Sequence, residues 1–155
     1  MHPDTADEGI TLEQLFAGRN IDIAASQLRM KGLMADEGLP YGERSMTYNS
    51  RLAQEVAAWA DTKDGAAIHD ALFQAYFVNN VNLAIPANLI SIVESIGLPA
   101  DEATTVINDR SFAKVVDEDW LRSRELGITG VPTFVANGRG LVGAQPYEQI
   151  AGLLQ

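Results

Sequence analysis

Read from its first residues, the chain alternates helical periods with breakers until its last thirty residues, where the period shortens. Thr11, with Gln14 three residues on, has the form of a capping box opening a short helix that stops at Gly18. From Asp22 to Glu37 strong helix formers carry Ile23, Ala24, Leu28, Leu33 and Met34 on more than one side. This predicts a helix packed from two directions and closed by Gly38 and Pro40. Tyr48, Leu52, Val56 and Trp59 recur at steps of four, four and three and predict one buried stripe, with Arg51 and Glu55 on the polar face. After Asp64-Gly65, the residues Ile68, Leu72, Phe73, Tyr76 and Phe77 form a wide apolar face, read as core, that ends at Asn79-Asn80.

Pro86 opens a helix whose Leu89, Val93 and Ile96 share a side, and Gly97 and Pro99 close it. Asp101 to Asn108 is a further short helix. Ser111 to Leu126 is a long one, with Phe112, Val116 and Trp120 aligned, Arg122 and Arg124 near its negative end, and Gly127 at its C-terminus. Val131 to Val135 then reads as a strand, Asn137-Gly138-Arg139-Gly140 as a turn, and Leu141-Val142 as the start of a return strand. Pro146 begins a last helix whose Ile150, Leu153 and Leu154 are expected to cover the hairpin.

Composition narrows what such a chain does. At 155 residues and 46% apolar, one compact domain is the expectation. No run of about 18 apolar residues argues for a membrane span. Asp and Glu outnumber Lys and Arg by 21 to 11, giving a formal charge of -10 that repels nucleic-acid phosphates and anionic lipid. Nucleic acid and membrane are therefore not expected partners. There is no cysteine, which removes disulfides, thiolate nucleophiles and cysteine-based metal sites from this chain. Of the two histidines, His2 reads as a tail residue and His69, beside Asp70, as a surface pair at a helix start. No cofactor or metal is expected, and none of these residues is assigned a catalytic role.

Gly127-Ile-Thr-Gly-Val-Pro-Thr-Phe-Val135, followed by Val142-Gly-Ala-Gln-Pro146, resembles the cis-proline segment of DsbA-like thioredoxin-fold proteins. Tyr48-Asn-Ser-Arg-Leu52, Ala75-Tyr-Phe77, Ile96-Gly-Leu98 and His2-Pro-Asp-Thr5 resemble the FrnE-like branch of that family. The resemblance implies an α/β, mostly helical fold: a single, incomplete DsbA-like domain over 1–155, with a helical insert at 10–126 and the β-β-α end of the thioredoxin motif at 127–155. The family's first strand, its Cys-x-x-Cys pair and the helix behind them have no counterpart, and roughly 50 residues would supply them. A start at Met1, inside the motif, is read as a truncation or an internal start codon.

By the same resemblance, Val131 offers backbone hydrogen bonds to an extended polypeptide substrate, Pro132 holds a cis bend, and Thr133 continues the binding strand. The activity implied is thiol–disulfide exchange or isomerisation, with this chain redox-inactive as given because it has no thiol. Without the first strand, the Val131 to Val135 edge is unpaired, and a homodimer or a separate front fragment is expected to cover it. One alternative is a non-enzymatic peptide-binding or assembly module. Another is a relative of kappa-class glutathione transferases and 2-hydroxychromene-2-carboxylate isomerases, which share this architecture and use a serine near the front. The cytoplasm is the default location.

Overall fold

The computed structural model describes residues 5–155, so His2-Pro3-Asp4 lies outside the described residues. The rest divides into two compact units, one running to Val116 and one from Asp117 to Gln155.

The first unit is helical. β1 (Ile10–Thr11) pairs antiparallel with β2 (Met46–Thr47), a contact too short to leave any period in the sequence. α1 (Leu12–Leu15) follows, with both halves of the Thr11/Gln14 capping box formed. α2 (Ile23–Asp36) is capped by Asp22, whose carboxylate accepts from the Ala25 amide at 2.9 Å.

The expectation of two-sided packing for α2 is wrong. None of its residues is fully buried, and Leu28 is 73% exposed. Its apolar residues are spread around the helix, so no single face can bury them together. What ties α2 down is Gln27, whose side-chain amide bonds both the carbonyl and the amide of Arg44.

α3 (Arg51–Asp61), α4 (Ala67–Phe73), α5 (Pro86–Ser95) and α6 (Ala100–Asp109) pack on one another around Val56, Trp59, Ile68, Leu89, Val93 and Ala103. The step-of-four stripe on α3 therefore faces the core, as its spacing predicts. Phe73 does not: it is 60% exposed. Behind it the chain makes a π-helical turn over Gln74–Val78, marked by the Asn79 amide donating to the Gln74 carbonyl. Phe73 is the residue after Leu72 in α4, about 100° around the helix from it, and so falls outside the buried face that Ile68 and Leu72 occupy. Tyr76 and Phe77 lie within the π-helical turn and carry the Arg44 guanidinium over their rings. Glu55, assigned to a polar face by its charge, is instead fully buried.

α7 (Ala113–Glu125) begins in the first unit and ends in the second, and Gly127 with φ 69° terminates it. The second unit then forms a hairpin from β3 (Thr133–Ala136) and β4 (Arg139–Val142), closed by α8 (Tyr147–Gly152). Only Asn137 and Gly138 make the turn, both with positive φ (51° and 71°). Arg139 and Gly140 belong to the return strand, not to the loop where sequence placed them. Leu153 is buried and Ile150 half-buried, but Leu154 is 76% exposed and covers nothing in the hairpin. Apart from β1 and β2, which the sequence did not predict, the predicted order of elements is the observed one.

Candidate functional site

Val131, Pro132 and Thr133 lie between the end of α7 and the first residues of β3. Their position follows from the flanking chemistry: Gly127 ends the helix and the Asn137-Gly138 turn sets the register behind them. The Val131–Pro132 peptide bond is cis. The Thr133 hydroxyl donates to the Gly130 carbonyl at 2.6 Å, closing a small loop around Val131. The Gly143 amide donates to the Pro132 carbonyl at 2.8 Å, which extends the β3–β4 ladder by one step.

Val131 is 75% exposed, and among the described residues no hydrogen bond engages its amide or its carbonyl. One donor and one acceptor thus stand beside an exposed apolar side chain on a short fixed loop. The other end of the hairpin is tied to α8. The Asn137 amide group donates to the Leu153 carbonyl at 3.0 Å, and Arg139 donates to the carbonyls of Gly152 and Leu153. These bonds join the turn to the last turn of α8 and satisfy carbonyls that a helix end leaves without intrahelical partners.

Sequence reasoning missed a second constellation, in the helical unit. Glu55 on α3 is 1% exposed and accepts from Arg51 Nε at 2.7 Å and from Arg110 Nη2 and Nε at 2.7 and 2.8 Å. Arg51 Nη2 also donates to the Ala113 carbonyl at 2.7 Å. Arg110 sits at the C-terminus of α6 with φ 51°, so the cluster ties α3 to the corner between α6 and α7. Burial pushes the Glu55 carboxyl pKa up, but the Arg110 and Arg51 hydrogen bonds and charges outweigh it and hold the pKa below the ordinary carboxylate range.

The signal for it was present: Leu52, Glu55, Val56 and Trp59 follow the i, i+3, i+4, i+7 spacing of a buried face, which places Glu55 on the stripe. Beside it an open cleft of about 500 Å³ is lined by Asp7, Asn49, Arg51, Leu52, Pro86 and Arg110 among others. It mixes both signs of charge and contains no hydroxyl, thiol or imidazole nucleophile. The cluster ties α3 to the corner between α6 and α7.

The Tyr48-Asn-Ser-Arg-Leu52 segment likewise serves packing. Asn49 donates to the Thr5 carbonyl at 3.0 Å and accepts from the Arg51 amide, and Tyr48 meets Tyr76 edge-on. His69 does not pair with its sequence neighbour Asp70. Its Nε2 lies 2.9 Å from Asp61 Oδ1 across the α3–α4 connection, and both side chains are about half exposed. Successive helical residues point about 100° apart, so Asp70 could not have faced it. Among the described residues no group of three His, Cys, Asp or Glu is placed to hold a metal ion. No helix among them is long and apolar enough to cross a membrane.

Known proteins place this geometry. Among curated proteins none matches. Among solved structures, the crystal structure of a "probable DsbA oxidoreductase" from Streptomyces coelicolor superposes with a TM-score of 0.87. The match covers 99% of this chain and 70% of that one at 24% identity, a likeness that concerns the fold. Residues 9–155 match the family model of the DSBA-like thioredoxin domain, which takes in the helical unit and the hairpin alike. This chain, mostly helical with a β-hairpin and closing helix, belongs to the DSBA-like thioredoxin domain family.

Proposed function

We propose that this chain is the peptide-binding part of a thiol–disulfide oxidoreductase or isomerase of the FrnE-like branch, without redox chemistry of its own. The observation that carries the reading is Val131: exposed, with its amide and carbonyl unengaged among the described residues, directly before a strand. An extended polypeptide laid beside this residue pairs with both groups as a strand pairs with a strand. Pro132 contributes no amide hydrogen, so recognition centres on Val131 and continues at Thr133. The apolar Val131 side chain adds contact area that does not depend on one substrate sequence.

Exchange of a disulfide requires a thiolate that attacks sulfur and a second thiol that takes over the bond. This chain has neither. Its role in exchange is then to hold a polypeptide for a cysteine pair supplied outside it. The lack of cysteine equally supports a second reading, in which the chain is a binding or assembly module with no chemistry to complete. Neither reading requires an oxidising compartment, so the cytoplasm suffices.

Fluorescence anisotropy with a labelled, cysteine-free peptide from an unfolded protein tests the binding reading. Val131→Pro deletes the amide donor, and the expected result is an affinity roughly 3- to 10-fold weaker, the worth of one hydrogen bond. Equal binding by the variant, or no binding by the natural chain, would rule the reading out.

A further inference from the structure

The hairpin turn and the end of α8 share one side chain. Asn137 and Gly138 form the turn with φ 51° and 71°, and the Asn137 carboxamide reaches across to donate to the Leu153 carbonyl at 3.0 Å. The amide that follows Asn137 is open. Gly138 is exposed, a Cβ on it would meet nothing within 4 Å, and among the described residues its N–H donates to no acceptor. A carboxamide thus stands one residue before a backbone nitrogen that has neither a side chain to shield it nor a hydrogen bond to occupy it.

Asn80 provides the contrast within the same chain. It too has a positive φ, 54°, and donates its carboxamide to a distant carbonyl, that of Glu43 at 2.8 Å. The residue after it is Val81, whose amide donates to the Ala75 carbonyl at 2.8 Å. Here the nitrogen is occupied, and it sits beside a stiff branched side chain.

We propose that Asn137-Gly138 is a site of spontaneous deamidation, gated by the docking of its carboxamide on the end of α8. A base takes the Gly138 amide proton, and the nitrogen attacks Asn137 Cγ to close a cyclic succinimide. The Cγ–Nδ2 bond breaks, and Nδ2 leaves as ammonia with a proton returned by the conjugate acid. Water then opens the ring at either carbonyl, which leaves aspartate with the main chain running through its α- or its β-carboxyl. Nothing is oxidised or reduced.

The attack needs the Asn137 carboxamide free to turn toward its own backbone. While Nδ2 is bound at Leu153 it is not free, so the reaction proceeds from molecules in which the last turn of α8 has opened. Arg139 donates to the carbonyls of Gly152 and Leu153 and holds that turn closed. The product reverses the contact. A carboxylate has no hydrogen to donate, so its oxygen faces the Leu153 carbonyl as acceptor against acceptor, and α8 keeps only the Arg139 anchor. A slow chemical step becomes a lasting change in the unit built from the hairpin and α8.

The site does not depend on peptide binding at Val131. Purified chain incubated in mildly alkaline buffer and mapped by peptide mass spectrometry should convert at Asn137 and stay intact at Asn80, with a one-charge acidic shift on isoelectric focusing. Conversion should be slower in the folded chain than in urea. Arg139→Ala removes the bonds that hold α8 closed and should speed conversion roughly 3- to 10-fold, the worth of one hydrogen bond, with circular dichroism unchanged. Asn137→Asp reproduces the product. In that chain the amides of Leu153 and Leu154, bonded to the Ile150 and Ala151 carbonyls, should exchange hydrogen roughly 3- to 10-fold faster while the α3 amides keep their rate. An Asn137 that survives prolonged incubation would overturn the site. A rate equal in urea, or indifferent to Arg139→Ala, would overturn the gating, and unchanged exchange in Asn137→Asp would overturn the release of α8.

Discussion

Glu55 is where one side chain determines most about its surroundings. Its carboxylate is the acceptor that Arg51 and Arg110 share, and the bonds join α3 to the α6 C-terminus. Glu55→Gln keeps the shape and removes the charge. Taking one partner from a buried ion pair costs about 3–5 kcal/mol, and Arg110 is half exposed, so we expect a loss of roughly 3 kcal/mol in urea denaturation. A loss below about 1 kcal/mol would show the cluster to be an incidental pairing.

The pH dependence follows from the lowered pKa. The folded chain binds this proton less tightly than the unfolded one, so Glu55 contributes its full stabilisation above the ordinary carboxylate pKa of about 4.3. That contribution fades as pH falls through the lower native value. The stability gap between the natural chain and Glu55→Gln should accordingly narrow below about pH 4. A gap that widens on acidification would reverse the sign of the argument. Charge misled the sequence reading here, because a lone glutamate is assigned to solvent unless its place in the apolar spacing is given more weight than its type.

At the scale of elements, helices were legible wherever a stripe and a terminator agreed. The α3 stripe is a clear period, and the Pro86 start, with its fixed φ, and the Gly127 stop, whose positive φ suits glycine, add boundary signals to periods of their own. Elements held by one or two distant bonds left no such trace. β1 and β2 have two residues each, and α2 is anchored through Gln27 and Arg44, seventeen positions apart.

The hairpin was recognised but its turn was drawn two residues too long, because Arg139 and Gly140 look like loop residues until their pairing with Ala136 and Val135 is known. Asn137→Ala tests how the turn is held. It places an alanine at φ 51° and removes the bond to the Leu153 carbonyl, for an expected loss of about 1–2 kcal/mol in the denaturation midpoint analysis. A neutral result would detach the turn from α8. Gly42 makes a second test, since a Cβ there would collide with the Val78 backbone. Gly42→Ala should cost about 1–3 kcal/mol, and a stability equal to the natural chain would show that the loop yields freely.

At the scale of the whole molecule, the family was readable from the Gly-Val-Pro-Thr segment and the helical pattern before it, because those residues fix backbone geometry as well as composition. The assignment of Val131, Pro132 and Thr133 as a binding segment came from resemblance. Geometry adds the exposed side chain and the unengaged amide and carbonyl, features no sequence pattern reports. With no cysteine in the chain, purified protein should show no turnover of oxidised or reduced model peptides, and measurable exchange by that protein would contradict the account.

Binding is its positive counterpart. The most direct test is an amide-resolved NMR titration of the chain with a cysteine-free extended peptide. We predict saturable shifts centred on the amides of Val131 and Thr133, with the α3 and α5 amides unmoved. Shifts confined to the helical unit, or none at saturating peptide, would contradict the claim that this segment receives a polypeptide.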